Sequence, residues 1–268
     1  MKTKKSLPAR LYRTTADAIE PFLPRRLVTP AHYLSRRLTG RLEAEYATIV
    51  SMTNPGKTVV DVGANIGVYT YGFLMRGANV VAVEPQAACA ALIRAFYHGG
   101  FPHLRRRGSL DIRVEALGAE SGSAVLRVPL RDGKLDDESA SLRAQGGEFV
   151  DIEVPIRRLD DYRLDNVQII KIDVEGHEVA ALMGGRDTIR RWKPAILVEI
   201  EQRHHSDPIT EVFAEIAEIV GPGYQISFLG KDGRLLPISE FEVSRHQLAL
   251  VENPLQRDYV RNFFILQG

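Results

Sequence analysis

Between Thr58 and Thr70 the chain reads Thr-Val-Val-Asp-Val-Gly-Ala-Asn-Ile-Gly-Val-Tyr-Thr, a β-branched run that ends in glycine and opens a helix. No other stretch restricts the fold as strongly. A short run of this kind, apolar on both faces, belongs inside a parallel sheet. A tight glycine turn at its end is what a βα unit of a doubly wound fold requires, with Gly63 permitting the turn and Gly67 a close approach of helix to strand. A ligand can then lie across the strand's C-terminal end, near the helix's exposed N–H groups. A phosphate loop of the Gly-Lys-Ser/Thr type is excluded, since no such triplet follows.

The β/α alternation continues from this point. Strands are expected at Thr58–Val62, Asn79–Glu84, Asp111–Ala116, Ile169–Asp173 and Ala195–Ile200. Helices are expected at Gly67–Met75, Ala87–Tyr97, Glu178–Met183, Asp187–Arg191 and Ile209–Ile219, with Gly184-Gly185 as a stop. An insertion at about 123–157 reads as two strands, Ala124–Leu130 and Glu148–Ile156, joined by the polar loop Arg131–Gly147. Its Ser139-Ala-Ser-Leu142 segment is a candidate cover for a site. Tyr224–Leu229, a turn at Lys231-Asp-Gly233 and a last strand at Asn262–Leu266 close a mixed sheet with an antiparallel hairpin.

The 268 residues suit an α/β domain, taken as 51–268, preceded by a basic, partly helical extension over 1–50. Prolines 21, 24 and 30 divide that extension into short pieces, and Leu34–Val50 reads as a helix. A net charge of +1 hides an asymmetry: residues 1–41 hold ten Lys/Arg against Asp17 and Glu20. Such an arm either forms a solvated extension or meets a membrane surface, an acidic glycan or a partner subunit. Nucleic acid is not expected, because aromatic residues do not interleave with the arginines. The one cysteine, Cys89, excludes a disulfide framework. No apolar run reaches the length of a membrane span, and Arg13, Asp17 and Glu20 interrupt any signal-peptide core, so a cytoplasmic location is expected.

The second strand ends in Glu84-Pro85, where a Rossmann-type fold places its ribose-binding acid. Either a dinucleotide or S-adenosylmethionine suits this pairing of glycine loop and acid. Asp61 favours the second, since a negative charge beside the ligand suits a sulfonium and repels a pyrophosphate. Ala64 also stands where a dinucleotide loop carries its middle glycine.

Several further segments resemble the FkbM family of methyltransferases, and the likeness covers most of 58–266. It is carried by Asp-Val-Gly-Ala-Asn-Ile-Gly-Val-Tyr-Thr (61–70), Val-Ala-Val-Glu-Pro (81–85), Ala-Leu-Gly-Ala-Glu-Ser-Gly (116–122) and Arg-Leu-Asp-Asp-Tyr (158–162). It continues in Ile-Lys-Ile-Asp-Val-Glu-Gly-His-Glu (170–178), the most specific stretch, then Leu-Val-Glu-Ile-Glu (197–201) and Tyr-Val-Arg-Asn-Phe-Phe-Ile-Leu (259–266). The resemblance implies a Rossmann-like class I methyltransferase fold, a mostly parallel seven-stranded sheet with an antiparallel last strand. It also implies S-adenosylmethionine as donor and O-methylation, with sugar hydroxyls on glycans or natural products as acceptors.

The cofactor contacts expected are Asp61, Gly63, Ala64, Asn65, Gly67, Tyr69, Thr70, Glu84, Pro85, Ala116, Leu117 and Asp173. Methyl transfer to oxygen is a displacement that demands alignment and a base for the hydroxyl proton. Asp173, His177, Glu199 and His204, at or just beyond two strand ends, are the candidates. Strand alternation puts Glu199 and Glu201 on one face, which also allows Mg²⁺ to be held by Asp173, Glu199 and Glu201. Glu178 reads as an electrostatic partner of a helix N-terminus, and Lys171 as the partner of an acid. A nicotinamide-dependent oxidoreductase and a non-catalytic module of the same fold remain open as alternatives.

Overall fold

Valine and isoleucine on both faces drive the central strands into a sheet covered by helices on each side. The computed structural model describes residues 22–39, 42–99, 108–131, 134–135, 140–142, 148–250 and 258–268. The chain begins with helices α1 (Arg25–Leu38) and α2 (Ala44–Ser51), then β1 (Thr58–Val62), α3 (Val68–Met75), β2 (Asn79–Val83) and α4 (Ala87–His98). Next come β3 (Leu110–Arg113), β4 (Ala116–Leu117), β5 (Gly122–Arg131), β6 (Lys134–Leu135) and β7 (Phe149–Arg157). Then follow β8 (Val167–Ile172), α5 (Glu178–Met183), α6 (Arg186–Trp192), β9 (Ala195–Glu199) and α7 (Ile209–Val220). The last elements are β10 (Tyr224–Leu229), β11 (Leu235–Pro237), α8 (Val243–His246) and β12 (Asn262–Gln267).

The main sheet has the order β11-β10-β12-β9-β8-β1-β2-β3. β3, β2, β1, β8 and β9 run parallel, and β12 lies antiparallel between β9 and β10. These are the seven expected strands with their reversed last strand; β11 adds a short edge strand as the hairpin partner of β10. Alternation divides the core. Val60, Val62, Ile170 and Ile172 face a layer that includes Ile189 of α6 and Ile216 of α7. Val59, Val80, Ile169 and Phe264 face Ile49, Phe73, Ile93 and Phe96 of α2, α3 and α4.

Two elements differ from expectation. The strand expected over Asp111–Ala116 is divided: β3 pairs with β2, while β4 pairs in parallel with β7 of the insertion. The insertion is therefore a second sheet, β4-β7-β5-β6, joined to the main one at its third strand. Most of its polar loop lies outside the described residues.

The helix expected over Leu34–Val50 is two helices, since α1 ends at Leu38 with Thr39 as its cap and α2 starts at Ala44. Pro24 precedes α1 as its N-terminal cap, and Pro30 sits inside the helix rather than ending it. Nor is this region detached from the domain. Val28, Thr29, His32 and Ser35 of α1 are buried, and the helix packs on α3 and α4. Tyr46 of α2 covers Gly72, where an added Cβ would lie 2.0 Å from the Tyr46 hydroxyl.

Candidate active site

The turn after β1 is held by contact as well as by torsion. Gly63 has φ +68°, and a Cβ there would lie 1.8 Å from the carbonyl oxygen of Asp173, so the loops after β1 and β8 touch through backbone. Gly67 caps α3 with φ +86°, and a Cβ would press on Ile93 and Phe96 at 2.9 and 3.0 Å. The close approach it allows is thus to α4 rather than to the strand. Thr29 Oγ1 donates to the Ile66 carbonyl at 2.5 Å, which fastens α1 to the same loop.

A pocket with about 630 Å³ of empty space opens beyond the strand ends. Gly63, Asn65, Glu84, Pro85 and Gln86 form one wall. Val62, Val83, Ala116, Leu117 and Leu126 supply apolar surface, and Asp173, Val174, Glu175 and His177 form the opposite wall. Ala140 and Leu142 of the insertion also line it, while Ser141 Oγ donates to the Glu175 carbonyl at 2.8 Å.

Glu84 is almost wholly buried, and its two oxygens accept the backbone N–H groups of Asn65 and Gln86, each at 2.8 Å. Burial outweighs those bonds and raises its pKa to about 7. Asp61 lies outside the pocket lining. It is fully buried, accepts the Thr70 hydroxyl at 2.6 Å, and lies 3.7 Å from the Lys171 ammonium. The register explains this, since Asp61 and Lys171 are direct partners across β1 and β8. Tyr69, Thr70, Ala64 and Gly67 likewise support the loop without lining the pocket: the Tyr69 hydroxyl donates to Glu43 at 2.5 Å.

Strand alternation sets a row of charges on the α2/α3 face, beside and behind the pocket: Asp61 on β1, Lys171 on β8 with Asp173 just after its end, and Glu199 on β9. Lys171 donates to the Gly63 carbonyl at 3.0 Å and to Asp173 at 3.2 Å. Burial would lower its pKa, yet Asp173, Asp61 and Glu199 raise it and hold it charged. Arg261, just before β12, bonds Glu43 and lies 3.7 Å from Glu199. Burial lifts the Glu199 pKa well above the carboxylate range despite Arg261, whereas Glu43 is lowered, the Arg261 charge and the Tyr69 hydroxyl overcoming its burial.

The expected catalytic residues separate into groups. Asp173 and His177 line the pocket, and Gly118 lies beside the His177 ring, where a Cβ would press on Ile156 at 2.8 Å. His204 reaches the wall through Glu175, whose carboxylate its Nε2 contacts directly. Glu175 holds a left-handed conformation, φ +50°, unusual for a residue with a side chain. Glu178 accepts the Gly176 N–H at 2.7 Å and lies 3.3 Å from His205, so it braces the turn into α5.

The metal trio is also rearranged. Among the described residues, one oxygen each of Asp173, Glu175 and Glu199 come within 4.8 Å of one another. β9 ends at Glu199, and Glu201 turns away to bond Arg203 at 2.6 Å and Tyr259. Lys171, His204 and Arg261 already face the three converging carboxylates.

A family model described as the methyltransferase FkbM domain matches residues 61–226, well over half of the chain. The chain belongs to the FkbM methyltransferase family. Solved structures of similar shape include a methyltransferase FkbM from Methylobacillus flagellatus KT, at 20% identity and a TM-score of 0.47. The likeness covers 93% of this chain but only 57% of that one, so the chain spans less than two thirds of its length. An S-adenosylmethionine-dependent O-methyltransferase from Thermotoga maritima shows 11% identity over 88% of this chain and 71% of its own, with a TM-score of 0.46. No curated protein sequence matches.

For an FkbM methyltransferase, five participants stand out here that the sequence did not assign to the site: Glu43, Glu115, Leu126, Glu175 and Arg261. Glu115 lines the pocket and accepts the Tyr162 hydroxyl at 2.6 Å. Its place at the end of the third strand was the available signal. Glu43 and Arg261 lie far apart in sequence, and no spacing rule connects them.

Proposed function

We propose that this methyltransferase moves the methyl group of S-adenosylmethionine to a hydroxyl of a sugar, glycan or natural-product acceptor. The observation that carries the reading is the charge of the pocket. Glu84, Glu115, Asp173 and Glu175 line it, and no Lys or Arg does among the described residues. Such a lining attracts a sulfonium and its ammonium and repels a pyrophosphate, which also weighs against a nicotinamide-dependent oxidoreductase.

The donor set fits the cofactor. Glu84 would accept ribose hydroxyls, the Gly63 and Asn65 backbone would face the chain of the cofactor, and Ala116, Leu117 and Leu126 would flank its base. When bound, the cofactor supplies an electrophilic methyl. The protein itself has to align the acceptor oxygen with it and to accept that oxygen's proton. Glu175 is the candidate to take the proton, because it lines the pocket, burial raises its proton affinity, and His204 partners its carboxylate.

Isothermal titration with S-adenosylmethionine, followed by mass-shift assays on a panel of hydroxylated acceptors, tests the reading. Binding well below millimolar and a single-methyl mass gain are expected. Glu175→Gln keeps cofactor binding while turnover falls about 100-fold. Absence of binding at millimolar cofactor ends the assignment, and unchanged turnover in Glu175→Gln removes that residue's role.

A further inference from the structure

Helices α1 and α4 pack side by side, and neither contains an Asp or Glu. At one end of the pair a shallow open groove, about 950 Å³, is lined by Arg25 and Arg26 from α1 and by Arg94 and His98 from α4. Gly99 lets the helices close here, since a Cβ would lie 2.7 Å from Arg26 Cβ. The sequence adds charge on both sides: Lys2, Lys4, Lys5, Arg10 and Arg13 precede α1, and Arg105-Arg-Arg107 follows α4.

The outer side of α1 is apolar as well as basic. Leu27, Leu34 and Leu38 are 37%, 52% and 77% exposed, and Phe22, just before the helix, is 86% exposed. Positions 27, 34 and 38 fall on one helical stripe. Arg26 and Arg37 lie along one edge of that stripe, while Val28, Thr29, His32 and Ser35 are buried against the domain.

We propose that this face docks on an anionic lipid bilayer surface. Headgroup phosphates would settle among Arg25, Arg26 and Arg94, and Phe22, Leu27, Leu34 and Leu38 would enter the boundary between headgroups and acyl chains. Among the described residues no helix is long and apolar enough to cross a membrane, so the contact is one of surface. Two other occupants fit less well. Nucleic acid would use the arginines and leave the leucine stripe without a role. A second copy of the chain would set one carboxylate-free basic surface against another, which is repulsive.

Sedimentation of the full chain with vesicles tests the proposal, comparing phosphatidylcholine alone with a mixture of about a third phosphatidylglycerol. Binding is expected to the anionic vesicles and not to the neutral ones, and it weakens as salt rises. The double variant Arg26→Glu/Arg94→Glu weakens it about tenfold or more. Leu27→Ser/Leu34→Ser also weakens it, because charge alone does not hold the helix in the interface. Both pairs are exposed, so unchanged thermal melting is expected to verify the fold of each variant. The proposal is overturned by failure to sediment, or by binding that survives in both double variants. It is likewise overturned if the leucine variant binds lipid normally while the wild type prefers duplex RNA to vesicles.

Discussion

The two walls of the pocket are stabilised in different ways. The glycine-loop wall satisfies most of its polar groups from nearby: Glu84 takes the N–H groups of Asn65 and Gln86, and Thr70 bonds Asp61 nine positions away, with Lys171 as its one long-range partner, on the Gly63 carbonyl and beside Asp61. The carboxylate wall draws its partners from across the chain. Glu175 meets His204, and Glu199 and Glu43 meet Arg261, which is 218 positions from Glu43. The first arrangement depends on close backbone contact, the second on balance among buried charges. Steric damage to the first should therefore be independent of pH, with Glu84 as its one titrating group, and damage to the second should vary with protonation throughout.

The largest expected effect is on the first wall. Gly63→Ala forces a Cβ against the Asp173 carbonyl at a positive φ. Removing that clash requires both loops to move, at a cost of about 3 kcal/mol or more. Chemical denaturation should show this loss equally at pH 6 and pH 8, and cofactor binding should disappear in titration. A loss confined to one pH would break the contrast.

Next is Arg261→Met, which strips the cation from Glu43 and Glu199. Glu43, the carboxylate whose pKa Arg261 lowers, is then left buried and unmatched, at a cost of about 3 kcal/mol near neutral pH. Without Arg261 both groups bind protons more readily in the folded state, so the deficit against wild type should shrink as pH falls toward 5. Urea melts at several pH values measure it, and a deficit constant with pH would refute the charge-balance account.

The smallest effect sharpens the boundary between the walls. The Glu84 pKa rises from an ordinary 4.5 to about 7 on folding. The folded state then holds more protons than the unfolded one between these values, so this group's contribution to stability falls as pH rises through that window and levels off above it. Glu84→Gln removes that slope. Cofactor affinity of the wild type should increase through pH 7 as the carboxylate ionises, whereas Glu84→Gln binds about tenfold more weakly at pH 8, by about 1.4 kcal/mol, and without the pH response.

The same difference explains what the sequence discloses. The βα alternation, the Gly63 turn and the strand-end position of Glu84 were legible because each follows from a local pattern of burial or torsion, whereas the reversed last strand came from the family resemblance. Asp61 illustrates the limit: its position in the motif suggested a charge facing the ligand, yet cross-strand register delivers Lys171 beside it and closes the pair off. Glu201 fails similarly, since alternation holds only while the strand lasts, and β9 stops at Glu199. The pairing of Arg261 with Glu43 has no local signature at all. Only the sheet order, which places β12 beside β9, brings Arg261 close to Glu199 at the end of that strand.

The bond between Glu43 and Arg261 has a consequence during synthesis. Arg261 is synthesised 218 residues after Glu43, so the nascent chain reaches the glycine loop well before this counter-charge exists. Until β12 inserts, Glu199 and Glu43 stand at the sheet's C-terminal edge without their guanidinium. A chain cut before Arg261 should therefore keep Glu43 buried without its partner, and melt at lower denaturant than the whole chain.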